Sequence, residues 1–151
     1  MKKLPQDFAD LLIELHEAKV EFVLVGGWAV VLYGHVRGTD DMDILVRPTQ
    51  ENSRRVVAAL EAFGAPMQLH GVGADHFAEE GRAYRFGVAP LKVEVLTKVS
   101  GITFDEAATD APSFDLDGHQ IPYIAKAALI RNKKAAGRLK DLADVEELER
   151  G

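Results

Sequence analysis

The chain has 151 residues, no cysteine and a formal net charge of −6, with 47% hydrophobic and 28% charged residues. That length and balance describe one soluble globular domain with an ordinary core, and exclude disulfide staples, cysteine-based zinc sites and a fibrous or disordered chain. No apolar run approaches the ~20 residues of a membrane span, the amino terminus lacks the apolar core of a signal peptide, and the acidic balance argues against non-specific nucleic-acid binding, so the expected location is the cytoplasm.

Residues 5–19 place Phe8, Leu11, Leu12 and Leu15 at helical spacing, with Pro5 suited to the first turn. The run EFVLV at 21–25 predicts a buried strand that stops at a Gly26-Gly27 turn. Trp28 to Tyr33 then predict a short helix closed by Gly34. Residues 35–41 are polar and turn-rich, and Met42 to Val46 form a second apolar strand. Pro48 and Thr49 open a helix that runs to Phe63 and stops at Gly64. Met67 to Leu69 are expected to form a short strand, and 70–81 a loop.

Arg82 to Val88 and Leu91 to Lys98 predict a hairpin around Ala89-Pro90, and Glu106 to Thr109 a helical turn. Asp117-Gly118, between short apolar flanks, predicts a second hairpin over 114–121. Helical spacing returns from Ile124 to Ala135, and a last helix is expected from Gly137 to Glu149. The fold class is therefore α/β, of the α+β kind: a mixed sheet flanked by helices, with a core over about 20–121 and a carboxy-terminal helical pair over about 124–149, in a single domain. There is no internal repeat or linker.

The chemistry concentrates in residues 26–46. Asp41 and Asp43 stand two apart at the start of a strand. Side chains at that spacing share a face, with roughly 6.5–7 Å between Cα atoms. Two carboxylates so placed repel unless a cation lies between them, and hard divalent cations such as Mg²⁺ favour carboxylate oxygen completed by waters and substrate phosphates. The simpler alternative is a solvated acidic turn. Gly26-Gly27 lie where a strand meets a helix, so backbone can approach a ligand and the helix amino terminus offers N–H groups to phosphate. Here too a tight turn with no ligand stands as the alternative. The segment fits neither the G-x-G-x-x-G nor the G-x-x-x-x-G-K-[ST] phosphate loop.

Taken together, strand, Gly26-Gly27, short helix, Arg37-x-Thr39-x-Asp41-x-Asp43 and strand resemble the signature of the nucleotidyltransferase superfamily, with its polymerase-β-like fold. The pattern is similar to small bacterial members such as the AbiEii-type toxin and the lincosamide nucleotidyltransferases. The resemblance implies a Mg²⁺-dependent enzyme, with Mn²⁺ as the alternative ion, that moves a nucleoside monophosphate from a nucleoside triphosphate such as ATP to a hydroxyl acceptor and releases pyrophosphate. Asp41 and Asp43 would be catalytic metal ligands, and Gly26, Gly27, Arg37 and Thr39 would bind the nucleotide. It also implies a third carboxylate on a later strand. Glu94, in LKVEVLT, is the candidate, as a further ligand, as a base, or as an inert replacement for the family's more common Asp.

The carboxy-terminal Lys133, Arg138, Lys140 and Asp141 match a family pattern in which Lys133 and Arg138 would neutralise phosphate. A helix-capping ion-pair cluster is the alternative, and Arg37 likewise could tie the acidic loop together. The acceptor is left open among a small molecule, a tRNA end and a protein. A non-catalytic module, such as one half of a toxin–antitoxin pair with an antitoxin partner, or a homodimer, stays as the rival reading. The five histidines form no metal pattern: His70 and His76 are expected in a loop. Trp28 and Tyr33 are expected in the core.

Overall fold

The computed structural model describes residues 4–35, 38, 41–88 and 91–151. Arg37 and Thr39, with Val36, Asp40, Ala89 and Pro90, lie outside the described residues. In chain order the elements are α1 (Gln6–Glu17), β1 (Phe22–Val25), α2 (Gly26–Leu32), β2 (Asp41–Val46), α3 (Gln50–Phe63), β3 (Ala83–Val88), β4 (Leu91–Leu96), α4 (Phe104–Ala108), β5 (Ser113–Leu116), β6 (His119–Pro122), α5 (Lys126–Ala136) and α6 (Leu139–Arg150).

The main sheet runs β1-β2-β4-β3. β1 and β2 are antiparallel, β3 and β4 are antiparallel, and β2 pairs with β4 in parallel. Parallel neighbours need a crossover, and α3 with the turns after it provides it. The β5–β6 hairpin turns at Asp117 and Gly118, both at positive φ (50° and 87°), as its Asp-Gly pair demands. It docks on the free side of β1 through a parallel bridge between Leu24 and Tyr123.

Strand alternation sorts the sheet into two faces. One presents Phe22, Leu24, Met42, Ile44, Val46, Val93, Val95, Tyr84 and Phe86, which pack with α1 and α3 in the larger core. The other presents Val23, Val25 and Leu45, which pack with α2, α4, α5 and Leu148 of α6 in a second core. The same alternation that buries Met42, Ile44 and Val46 completely puts Asp41 and Asp43 on the second face, on the amino-terminal side of Leu45.

Local chemistry fixes the ends. The Thr49 hydroxyl accepts the Asn52 N–H at 3.2 Å, and Gly64 at φ 103° closes α3. The buried Asn52 amide binds the Glu21 backbone in both directions and the Arg47 carbonyl, which ties the start of β1 to the end of β2. Residues 70–81 are turns, as expected, but they are anchored: Ser53 Oγ donates to the Ala74 carbonyl and accepts the Phe77 N–H, and Phe77 is fully buried.

Three expectations need correction. Met67 to Leu69 form turns, with the His70 and Gly71 N–H groups bonding back to the Pro66 and Gln68 carbonyls. Met67 is buried while Leu69 is 83% exposed, so the segment has too little apolar surface to bury for a strand. Gly26 and Gly27 are the first turn of α2 itself, so the helix begins two residues earlier than Trp28. The helical turn expected at 106–109 is set two residues earlier, by a Thr103–Glu106 capping box.

Candidate active site

The parallel register sets Asp43 beside Glu94 and Asp41 beside Lys92. The antiparallel register sets Arg85 beside Glu94 and Val25 beside Asp43. Lateral neighbours in a sheet share a face, so Asp43, Glu94 and Arg85 stand in one row and Asp41, Lys92 and Gly87 in the next. The Arg85 guanidinium donates to Glu94 in a short ion pair.

Burial first, then the charges of Glu94 and Asp41, push the Asp43 carboxyl from its ordinary value near 3.8 up to about 6, against a weaker pull down from Lys133 and Arg85. An acid held so unfavourably as an anion is one that a cation would relieve. Among the described residues, no three acidic or histidine side chains form a finished metal cage, and Glu94 is paired with Arg85. Two aspartates on one face of an open cleft nevertheless fit Mg²⁺, which takes one or two carboxylates and completes its shell from phosphates and water.

Gly26 sits directly above Asp43. Its φ is 66°, and a Cβ there would fall on the Asp43 carboxylate. We predict that Gly26→Ala displaces that carboxylate, costs about 1–2 kcal/mol of backbone strain and lowers the nucleotide transfer that the sequence resemblance implies by on the order of 10²-fold. Gly34→Ala is the control. It also sits at positive φ (95°), with nothing within 4 Å of its Cβ position. It should show a comparable drop in melting temperature with transfer intact.

Two clefts meet at the acids. The inner one, about 270 Å³, is lined by Gly26, Gly27, Ser100, Lys133, Arg138 and the three carboxylates. The outer one, about 560 Å³, opens over β3 and β4 and is lined by Arg85, Phe86, Lys92, Arg138, Lys140 and the same acids. The fold thus gathers Gly26, Gly27, Asp41, Asp43, Glu94, Lys133 and Arg138 at one place.

Lys133 and Arg138 are held by carboxylates. The Lys133 ammonium is buried, 3.0 Å from Asp144 and 3.4 Å from Asp141. Arg138 grips Asp141 through Nε at 2.6 Å and Nη2 at 3.1 Å, and its backbone N–H donates to the same carboxylate at 3.2 Å. Burial alone would raise the Asp141 carboxyl, but the Arg138 hydrogen bonds and the Lys133 charge prevail and hold it below its ordinary value. Arg138 keeps 62% of its side chain exposed, facing both clefts.

Sequence reasoning missed Arg85, Lys92 and Asp144. A hairpin centred on Ala89-Pro90 already places 85 opposite 94, so the Arg85 pairing could have been read from the predicted turn. Of the two aromatic residues expected in the core, Trp28 is buried and Tyr33 half-buried. Trp28 is buried edge-on against Phe8, and Tyr33 donates to the Ile124 carbonyl at 2.7 Å. His70 meets the Tyr84 hydroxyl and His76 the Ala83 carbonyl. Among the described residues no helix is long and apolar enough to cross a membrane.

The fold and the sequence both have known counterparts. The chain aligns over 99% of its length with 98% of the lincomycin-bound lincosamide antibiotic adenylyltransferase LnuA, at 17% identity and a TM-score of 0.64. It aligns over 98% with 94% of a candidate nucleotidyltransferase of Thermotoga maritima, at 14% identity and a TM-score of 0.57. An antigenic nucleotidyltransferase-like protein from Paracoccidioides brasiliensis aligns at 16% identity and a TM-score of 0.53, over 93% of this chain and 72% of the other. These likenesses show a nucleotidyltransferase fold. No curated protein matches the sequence. The family model for aminoglycoside-2''-adenylyltransferase matches residues 8–128, from α1 through the β5–β6 hairpin into α5, and includes Gly26, Gly27, Asp41, Asp43 and Glu94. The chain therefore belongs to the aminoglycoside-2''-adenylyltransferase family and is a nucleotidyltransferase.

Proposed function

We propose that this nucleotidyltransferase uses Mg²⁺, held by Asp41 and Asp43, to transfer a nucleoside monophosphate from a nucleoside triphosphate, ATP first, to a hydroxyl acceptor. The observation that carries the reading is that Asp41, Asp43 and Glu94 line one cleft together with Gly26 and Gly27. When bound, the ion would supply Lewis-acid stabilisation of charge on the phosphate oxygens.

The chain's own residues carry the rest. Gly26 and Gly27 let the backbone approach the triphosphate in the inner cleft, with Arg138 as an exposed cation beside it. The acceptor oxygen, in the outer cleft, bonds to the α-phosphorus as the bond from that phosphorus to the bridging oxygen breaks. The hydroxyl proton passes to Glu94, which Arg85 orients, and pyrophosphate leaves with the electron pair. Catalysis here is positioning and charge stabilisation, as in phosphoryl transfer generally.

Calorimetry tests the reading. Each nucleoside triphosphate is titrated into the protein with Mg²⁺, with Mn²⁺ and with EDTA. ATP is expected to bind with micromolar to millimolar affinity only when a divalent ion is present, and labelled ATP to yield pyrophosphate. Metal-independent binding, or none with any nucleotide, would refute it.

A further inference from the structure

We infer that Lys98 and Lys140 hold the phosphates of the nucleotide, Lys98 on the leaving pyrophosphate and Lys140 beside the α-phosphate. The inference rests on the function proposed above, because it takes the inner cleft as the triphosphate site.

The described cations around the inner cleft are Lys98, Lys133, Arg138 and Lys140. Two of them are engaged within the protein. Lys133 is buried between Asp141 and Asp144, and Arg138 commits Nε and Nη2 to Asp141. Lys98 and Lys140 are exposed, and among the described residues no carboxylate lies within ion-pair distance of either. Even with one divalent cation bound, a triphosphate remains an anion, and these two ammonium groups are free to pair with it.

The backbone under both lysines is fixed. Strand alternation carries Glu94, Leu96 and Lys98 along one face, and all three line the inner cleft. Just before Lys98, the buried Thr97 hydroxyl donates to the Glu79 carbonyl at 2.8 Å and accepts the Arg82 N–H at 2.9 Å. Just after it, the Ser100 carbonyl accepts the Asn132 amide at 2.9 Å, which ties this turn to α5. Lys140 lies in the first turn of α6, where the Asp141 carboxylate accepts the Arg138 N–H at 3.2 Å. A cation in a first turn opposes the helix dipole, and an anion bound beside it offsets that cost.

The two clefts divide the roles. The reacting phosphorus lies between the acceptor and the leaving oxygen. Lys140 lines both clefts, as Asp41 and Asp43 do, and so flanks that point. Lys98 lines the inner cleft alone, on the leaving side.

The test is calorimetry on the full chain with Mg²⁺–ATP and with Mg²⁺–pyrophosphate. Lys98→Gln should weaken both by about tenfold, the size of one charge-assisted contact, and Lys98→Arg should keep both within about threefold of the wild type. Lys140→Gln should weaken ATP by about tenfold and pyrophosphate by less than about threefold. Melting temperatures should not move, since both side chains are exposed. Lys134→Gln, at a lysine of α5 that lines neither cleft, should change neither affinity. Four results overturn the inference: wild-type affinities in Lys98→Gln, no recovery in Lys98→Arg, an equal loss in Lys134→Gln, or a wild type that binds Mg²⁺–ATP but no pyrophosphate. If the wild type binds no nucleotide with a divalent ion, the proposed function itself fails, and that is visible before any variant is made.

Discussion

Replacing Asp41 and Asp43 together by asparagine is expected to cut nucleotide transfer by roughly a thousandfold, because several kcal/mol of transition-state charge stabilisation would be lost with the proposed ion. The fold should survive, since the apolar side chains of β2 that hold the sheet, Met42, Ile44, Leu45 and Val46, are untouched. Circular dichroism and the melting curve check that, and pyrophosphate release checks the activity. A double variant that transfers at the wild-type rate would remove Asp41 and Asp43 from the site.

Asp43 alone adds a pH signature to this prediction. Its folded carboxyl titrates near 6, above the ordinary value near 3.8. Below about pH 4 the folded and unfolded chains both hold the proton, and Asp43 makes no difference. Between about 4 and 6 the unfolded chain releases it first, so stability falls as pH rises. Above about 6 the cost is complete, at most about 3 kcal/mol. Asp43→Asn should therefore melt higher than the wild type at pH 8 in EDTA, and the gap should close towards pH 4. Saturating Mg²⁺ should raise the wild-type melting temperature and leave the variant unmoved, because only the wild type gains from ligation. A variant that melts lower than the wild type at pH 8 in EDTA would mean that Asp43 stabilises the fold.

What was readable in advance depended on how local the cause is. The order strand, Gly-Gly, helix, acidic strand is local, and Val25, Gly26 and Asp43 stand where the spacing puts them. The Asp117-Gly118 hairpin is also local, because two residues must take positive φ. The parallel pairing of β2 with β4 is not local. Nothing in either strand names the other, yet that register brings Glu94 beside Asp43. The resemblance to a known family supplied Glu94, a position that the strand's own alternation does not single out. The short strand expected at Met67 to Leu69 failed because three residues of mixed polarity cannot report burial. Only tertiary packing buries Met67 and leaves Leu69 out. The family model ends at residue 128, so the Lys133–Arg138–Asp141 cluster had to be judged from structure.

That cluster carries the second large effect. Lys133→Met should destabilise the protein by about 3–5 kcal/mol, because it removes the buried cation that the Asp144 and Asp141 carboxylates share. For a chain of this length that is a fall of roughly 6–20 °C in melting temperature. Arg138→Gln should cost much less stability, since Arg138 is mostly exposed and Asp141 keeps Lys133. It should instead raise the KM for the nucleotide, by about tenfold for one charge-assisted contact. The two cations, held equivalent by the sequence, thus part into one that fastens α5 to α6 and one that lines the clefts. Adding Asp144→Asn to Lys133→Met separates charge from shape. If the loss is one of charge balance in this buried cluster, neutralising Asp144 restores part of the stability. If the double variant is less stable than Lys133→Met alone, the lysine's worth lies in packing, and the ion-pair account of this helical pair is wrong.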